Sequence, residues 1–348
     1  MSGFKTGRNL IVVAGVLAVT GYLRMPVEQT FAEDLQERRV MPPAIKSEVW
    51  SEMGQTSLAG AFGGLRSLMA ALLSIGAHSH FEENEWYELK KDYEVITALE
   101  PYNAFYWEHG GWHMGYNAAS WARHNRSFSP ARRRLMEKEY MEMGDAFFHE
   151  GLKYLPDEDQ LWFEIGAMWS HELKRPDYER AAEAYAMVRH SRHPVYRRFY
   201  LITIARIPGR ELEAYEEAMR LLREDGRLAT MTPTFRCLLV VLASNPELPP
   251  GSLRPTVEQV FPDREKAYQD LYNYRLRVQR EGFYRGRVDE MLRELIEELD
   301  VPDALNPFLT PRRRPIYHSN WREIYEEEKA QKERKELPDW ILRGGQAR

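Results

Sequence analysis

Two groups of closely spaced histidines in the 348-residue chain also carry neighbouring carboxylates and so invite chemistry. The run His78-Ser79-His80-Phe81-Glu82-Glu83 sets two imidazoles beside two carboxylates, a donor set that zinc or iron accepts. Histidines at i and i+2 point to different sides of a helix and converge only in a loop, so the run reads as a polar turn between helices. His109 and His113 stand four apart and share one helical face, with Glu108 adjacent. The metalloprotease pattern H-E-x-x-H places a glutamate between its histidines; Gly110, Gly111 and Trp112 stand there instead, and the general base is missing. The string Trp112 to Asn117 combines large rings with polar tips. His109, His113, Tyr116 and Asn117 are therefore read as candidate partner-binding residues, with Tyr116 and Asn117 alternatively tying a neighbouring insertion to the scaffold.

Arg123, Arg126, Arg132, Arg133 and Arg134 form a third group, whose guanidinium forks suit a phosphate or an acidic partner. Glu137, Glu139 and Glu142 follow within helical reach, so the same arginines also read as an ordinary solvated, ion-paired face. The chain has no glycine-rich phosphate loop, nucleophile elbow or dinucleotide fingerprint. No catalytic residue, cofactor or bound metal is expected. The single cysteine, Cys237, excludes an internal disulfide and sites built on several thiolates; within the apolar run Phe235 to Ala243 it reads as a small buried hydrophobe.

The elements that would position these groups announce themselves by packing residues. Trp162, Ile165, Gly166 and Trp169 follow the spacing W-x2-L-G-x2-Y, in which a ring fills the groove of the next helix and the glycine admits a close helix crossing. Ala181, Tyr185 and Pro194 continue it through a second helix, with one extra residue in the turn Lys174 to Asp177. Pro156 precedes Trp162 by six residues, as Pro101 precedes Trp107. Gly144, Phe148 and Gly151 keep the small, aromatic, small pattern of a second helix; Trp107, Gly110, Gly111 and Met114 supply a first helix, followed by an insertion from Trp121 to Pro130. On these residues the segment from about 60 to 225 resembles tetratricopeptide repeats. The resemblance implies an all-α solenoid, in which the first helices of successive pairs line a concave groove that clamps a partner segment. The string Trp112 to Asn117 also resembles a W-N-M-x-Y-N element of membrane-anchored bacterial helical-repeat proteins, with His113 in place of the asparagine.

Around this core the chain divides into an amino-terminal anchor or signal segment (1–25), a charged stalk (26–47), the repeats (48–228), a helical extension (229–300) and a proline-rich, charged tail (301–348). Leu10 to Leu23 is apolar and follows Lys5 and Arg8. Fourteen helical residues rise only about 21 Å against a hydrocarbon core of roughly 30 Å, so a span needs flanking residues as well. The preceding cations orient the terminus to the cytoplasm and the bulk of the chain outside it; cleavage near Val19-Thr20-Gly21 would instead secrete it. Leu58 to Ile75 reads as a buried helix rich in small residues, and Trp321 to Leu337 as a solvated or disordered tail that can dock on a partner.

With 43% hydrophobic residues the chain can build a large core, and a formal charge of −5 argues against nucleic acid as a partner. The expected function is a membrane-tethered scaffold for protein partners in the cell envelope. The alternatives are a metal-dependent enzyme using His109 and His113, and a structural envelope protein.

Overall fold

A computed structural model describes residues 2–39, 41–43, 45, 65–171, 176–309, 315–318 and 320–336; side chains of residues 2–18, 225–231 and 333–336 fall outside that description. Among the described residues every regular element is helical. The chain forms two compact units, Met1–Met168 and Trp169–Arg348. Their boundary falls inside the segment read as repeats.

The first unit comprises α1 (Ser2–Glu37), α2 (Arg66–Glu82), α3 (Trp86–Leu99), α4 (Ala104–Trp112), a π-helical turn (His113–Ala118), α5 (Ala119–His124), α6 (Pro130–Tyr154) and α7 (Asp159–Ser170), whose last two residues belong to the second. Within it α2 packs on α3, α3 on α4, and α4 with its continuation on α6. The stops and starts follow local chemistry. Asn84 takes a left-handed conformation (φ 60°) between α2 and α3. The Asn103 side chain accepts the Phe105 N–H at the start of α4. Ser129 caps α6 with Pro130 in the first turn. Tight crossings then fix the stack: a Cβ on Gly144 of α6 would lie 2.6 Å from the Gly115 nitrogen and 2.8 Å from the Gly111 oxygen.

Several expectations shift. α1 runs through residues 26–37, so the stalk begins as helix, with Pro26 inside it. His78 and His80 belong to α2 rather than to a turn, because no breaker intervenes before Asn84. α2 itself buries Met69, Ala70 and Ala77 but exposes Leu68, Leu72 and Ile75, so this part of the expected buried helix covers a core along one stripe only. The expected insertion from Trp121 to Pro130 is half helical: its first four residues finish α5, Pro130 opens α6, and residues 125–129 loop between them. Among the described residues no helix is long and apolar enough to cross a membrane. Most of the expected anchor, the stretch Ser47 to Gly60, and the turn residues Lys174 and Arg175 lie outside the described residues or side chains.

The second unit contains α8 (Tyr178–Met187), α9 (Pro194–Ile204), α10 (Glu211–Met231), α11 (Pro233–Ala243), the single turn α12 (Val257–Val260), α13 (Arg264–Glu281), α14 (Val288–Glu298) and α15 (Trp321–Glu336). From α8 to α11 each helix packs on the next, and α13 joins α11 to α14. Tyr268 and Tyr272 of α13 are fully buried, as is Cys237, whose thiol burial holds well above its ordinary pKa. The tail does not float free at its start. Trp321 is buried with its ring 5.0 Å from that of Tyr268, and the Arg322 guanidinium donates to the Leu299 carbonyl at 2.6 Å.

Candidate functional site

An opening in the first unit lies between α3 and α6, over α4. It is a groove of 1010 Å³. Trp107 and Phe147 meet at its floor with ring centroids 5.2 Å apart. Trp107 is fixed at both edges: its Nε1 donates to the Pro101 carbonyl at 2.8 Å, and Tyr154 stacks on it at 5.7 Å. Val95 and Ala98 of α3 and Leu135 and Met143 of α6 extend the apolar walls. The start of α3 is held to α6 by the Tyr87 hydroxyl, which donates to Glu139 at 2.9 Å. Lys90, Lys91 and Lys138 border the opening together with Glu94, Glu139, Glu142 and Glu150. Leu135 is 67% exposed, a large apolar side chain left in water at the groove wall.

The acids of α6 neutralise the arginines around residue 130 only in part. Glu137 is buried and faces Arg123 at 3.6 Å, while Glu139 is engaged by Tyr87. Arg132 lies over the Phe128 ring at 4.5 Å. Among the described residues, Arg133, Arg134 and Lys138 have no acidic partner.

The four sequence-nominated residues cluster where α4 passes into the π turn. His113 packs between Phe81 (5.1 Å) and Tyr93 (5.4 Å). Burial, with His109 and His78 adding to it, pulls its pKa down to about 4. The Asn117 amide donates to His113 Nδ1 at 3.1 Å, which assigns the proton of the neutral ring to Nε2. The His109 ring lies tilted against Phe105 at 3.9 Å, and Tyr116 lies along Trp112 at 6.5 Å. His80 belongs to another pair: Asp92 binds it at 2.6 Å and raises its pKa. Among the described residues, no three His, Cys, Asp or Glu side chains are placed to hold one metal. The cluster is thus a packed aromatic and amide junction, with His113 as its neutral centre.

A second polar junction, which the sequence reading did not single out, joins α4 to α7. The Gln160 amide donates to Glu164 at 3.0 Å and to Glu108 at 3.4 Å. Burial first, and then the charge of Glu108, push the Glu164 pKa up to about 7. The signal was present in Gln160 and Glu164, four apart on one face, but their facing partner is 52 residues from Gln160 in sequence.

The repeat positions divide by burial. Trp107, Gly111, Phe148 and Gly166 are buried, and a Cβ on Gly111 would lie 2.4 Å from the Phe148 ring. Pro156 is exposed in the turn after α6. Trp162 is only half-buried, edge-on to His149 at 5.6 Å. In the second unit Trp169 is buried beneath the Arg180 guanidinium at 3.7 Å, Ala181 and Tyr185 are buried, and Pro194 opens α9 exposed. Leu135, Met143 and Tyr154, which build the groove, were not distinguishable from core residues in the sequence. No family profile, curated protein or solved structure matches the chain.

Proposed function

We propose that the protein is a membrane-tethered, tetratricopeptide-like helical scaffold of the cell envelope that holds a segment of a partner protein. The observation that carries this reading is the groove between α3 and α6, apolar along its floor and walls and charged at its borders. Such a surface suits a peptide segment: apolar anchors fill the floor while rim charges set register and exclude the wrong partner. The packing of helices chiefly on their sequence neighbours and the aromatic spacing around Trp107 and Trp162 support the repeat character. In this reading α3 and α6 are the second helices of their pairs, so the groove lies on the other side of α4 from the concave face that the resemblance implies.

Tethering is assigned to Leu10 to Leu23, with the amino terminus cytoplasmic. Full-length protein should remain with membranes through high-salt and carbonate washes, and removal of residues 1–24 should release it. A mature chain beginning near Tyr22 would replace the anchor with secretion. For the scaffold, a photo-crosslinking residue at Met143, in membranes of the native host, should capture one reproducible protein partner. No capture there, with none at Leu135, sinks the scaffold reading.

A further inference from the structure

We infer that the segment held in the groove is acidic at the end lying against the start of α6 and apolar along the rest. The inference rests on the scaffold reading and adds the chemistry of the partner. It begins with two departures from ordinary helix electrostatics in α6. Arg132 and Arg133 occupy its first turn, where the exposed N–H groups already make a positive pole, and no acidic residue offsets them there. Arg134 and Lys138 then stand four apart, like charges on one helical face. Each arrangement costs the isolated helix a few tenths of a kcal/mol, and a local rule broken without an internal compensation marks a place where an outside group supplies it.

The surroundings remove the internal alternatives. Of the three acids within helical reach, Glu137 faces Arg123, Glu139 accepts from Tyr87, and Glu142, one turn after Lys138, has an interaction of its own that does not involve Lys138. Among the described residues, Arg133, Arg134 and Lys138 are left without an acidic partner. The exposed cations lead into apolar surface: Leu135 and Lys138 both line the groove that continues past Met143 to Trp107 and Tyr154, and Arg134 stands one turn before Lys138 on the same helical face. An anion alone would satisfy the charges and leave Leu135 and the floor uncovered. A wholly apolar segment would cover the floor and leave the cations unanswered. A segment with carboxylates at one end and apolar side chains after them answers both, and the groove volume of 1010 Å³ accommodates several side chains.

The test uses the full chain in detergent with two synthetic probes, a glutamate-capped leucine–alanine peptide and its lysine-capped twin. The glutamate probe should bind at least about tenfold more tightly, with the preference shrinking as salt rises. The double variant Arg134→Glu/Lys138→Glu should reverse the preference, and Leu135→Ser should weaken both probes. The charge variant should melt no lower than the parent, because glutamate suits the start of a helix; a lower midpoint would assign the cations to the fold and overturn the inference. Equal affinity for the two probes would do the same. So would polyphosphate binding as tightly as the glutamate probe, which would reveal a plain anion patch. If a partner crosslinked at Met143 is captured equally by the charge variant, the inference falls while the scaffold reading stands; absence of any captured partner removes the scaffold reading itself.

Discussion

Gly144 and Gly76 are both helical glycines, and they separate close approach from mere composition. Alanine at Gly144 would drive a methyl group to within 3 Å of backbone atoms of Gly115 and Gly111, none of which can rotate away. Gly144→Ala should therefore destabilise the first unit by about 1–3 kcal/mol, the usual range for overpacking. A Cβ on Gly76 meets nothing within 4 Å, so Gly76→Ala should be neutral or stabilising by up to about 1 kcal/mol. Thermal midpoints of the two variants check the contrast; equal effects would mean that the α4–α6 crossing is looser than described. The tryptophans divide similarly. Trp107 is buried, hydrogen-bonded and stacked, so Trp107→Ala should cost about 3–5 kcal/mol. Trp162, less completely buried, should cost less, although its sequence spacing makes it the better repeat signature.

At the scale of elements, two polar junctions titrate in opposite senses. His113 has an ordinary value of 6.5 and about 4 in the fold, so the fold prefers its neutral ring. That contribution is complete above pH 6.5 and is lost as pH falls through 4, on the order of 3 kcal/mol in all. Glu164 has an ordinary value of 4.5 and about 7 in the fold, so the fold prefers its protonated acid. Its contribution is complete below pH 4.5 and lost as pH rises through 7, of similar size. Between these limits the two losses offset one another, and the parent should show a flatter stability profile than either variant. Glu164→Gln should leave the midpoint nearly unchanged at pH 4 and raise it at pH 8. His113→Gln should bring its gain, relative to its own value at pH 8, on the acid side. Parallel curves for parent and both variants would refute the assignment. Neither junction was fully legible in the sequence. The His109–His113 spacing located the first, and Asn117 was noted beside it, but the enclosing Phe81 and Tyr93 come from α2 and α3. Helix starts were easier to read: Pro233 stands in the first turn of α11, and the Asp263 side chain caps α13. The π turn left no sequence mark; it stands where Gly115 meets Gly144 across the crossing.

For the whole molecule, the repeat pattern read from Trp107 to Pro194 suggests one continuous run, whereas the contacts gather into two units that divide between Met168 and Trp169. Sequence periodicity reports which face of a helix is apolar; it carries no record of which helices share a core. The aromatic spacing continues across residue 168 because each side of the boundary still needs a ring to fill a neighbour's groove. Each unit has its own fully buried set, including Leu89, Met114 and Phe148 in the first and Leu201, Tyr268 and Tyr272 in the second. Two cores of this kind give two cooperative transitions, so calorimetry of the full chain should resolve two components rather than one. Gly144→Ala should lower one midpoint and Leu292→Ala, which empties a fully buried site on α14, should lower the other by the larger amount expected for a core leucine, about 2–5 kcal/mol. A single transition displaced by both substitutions would show that the two units unfold as one body.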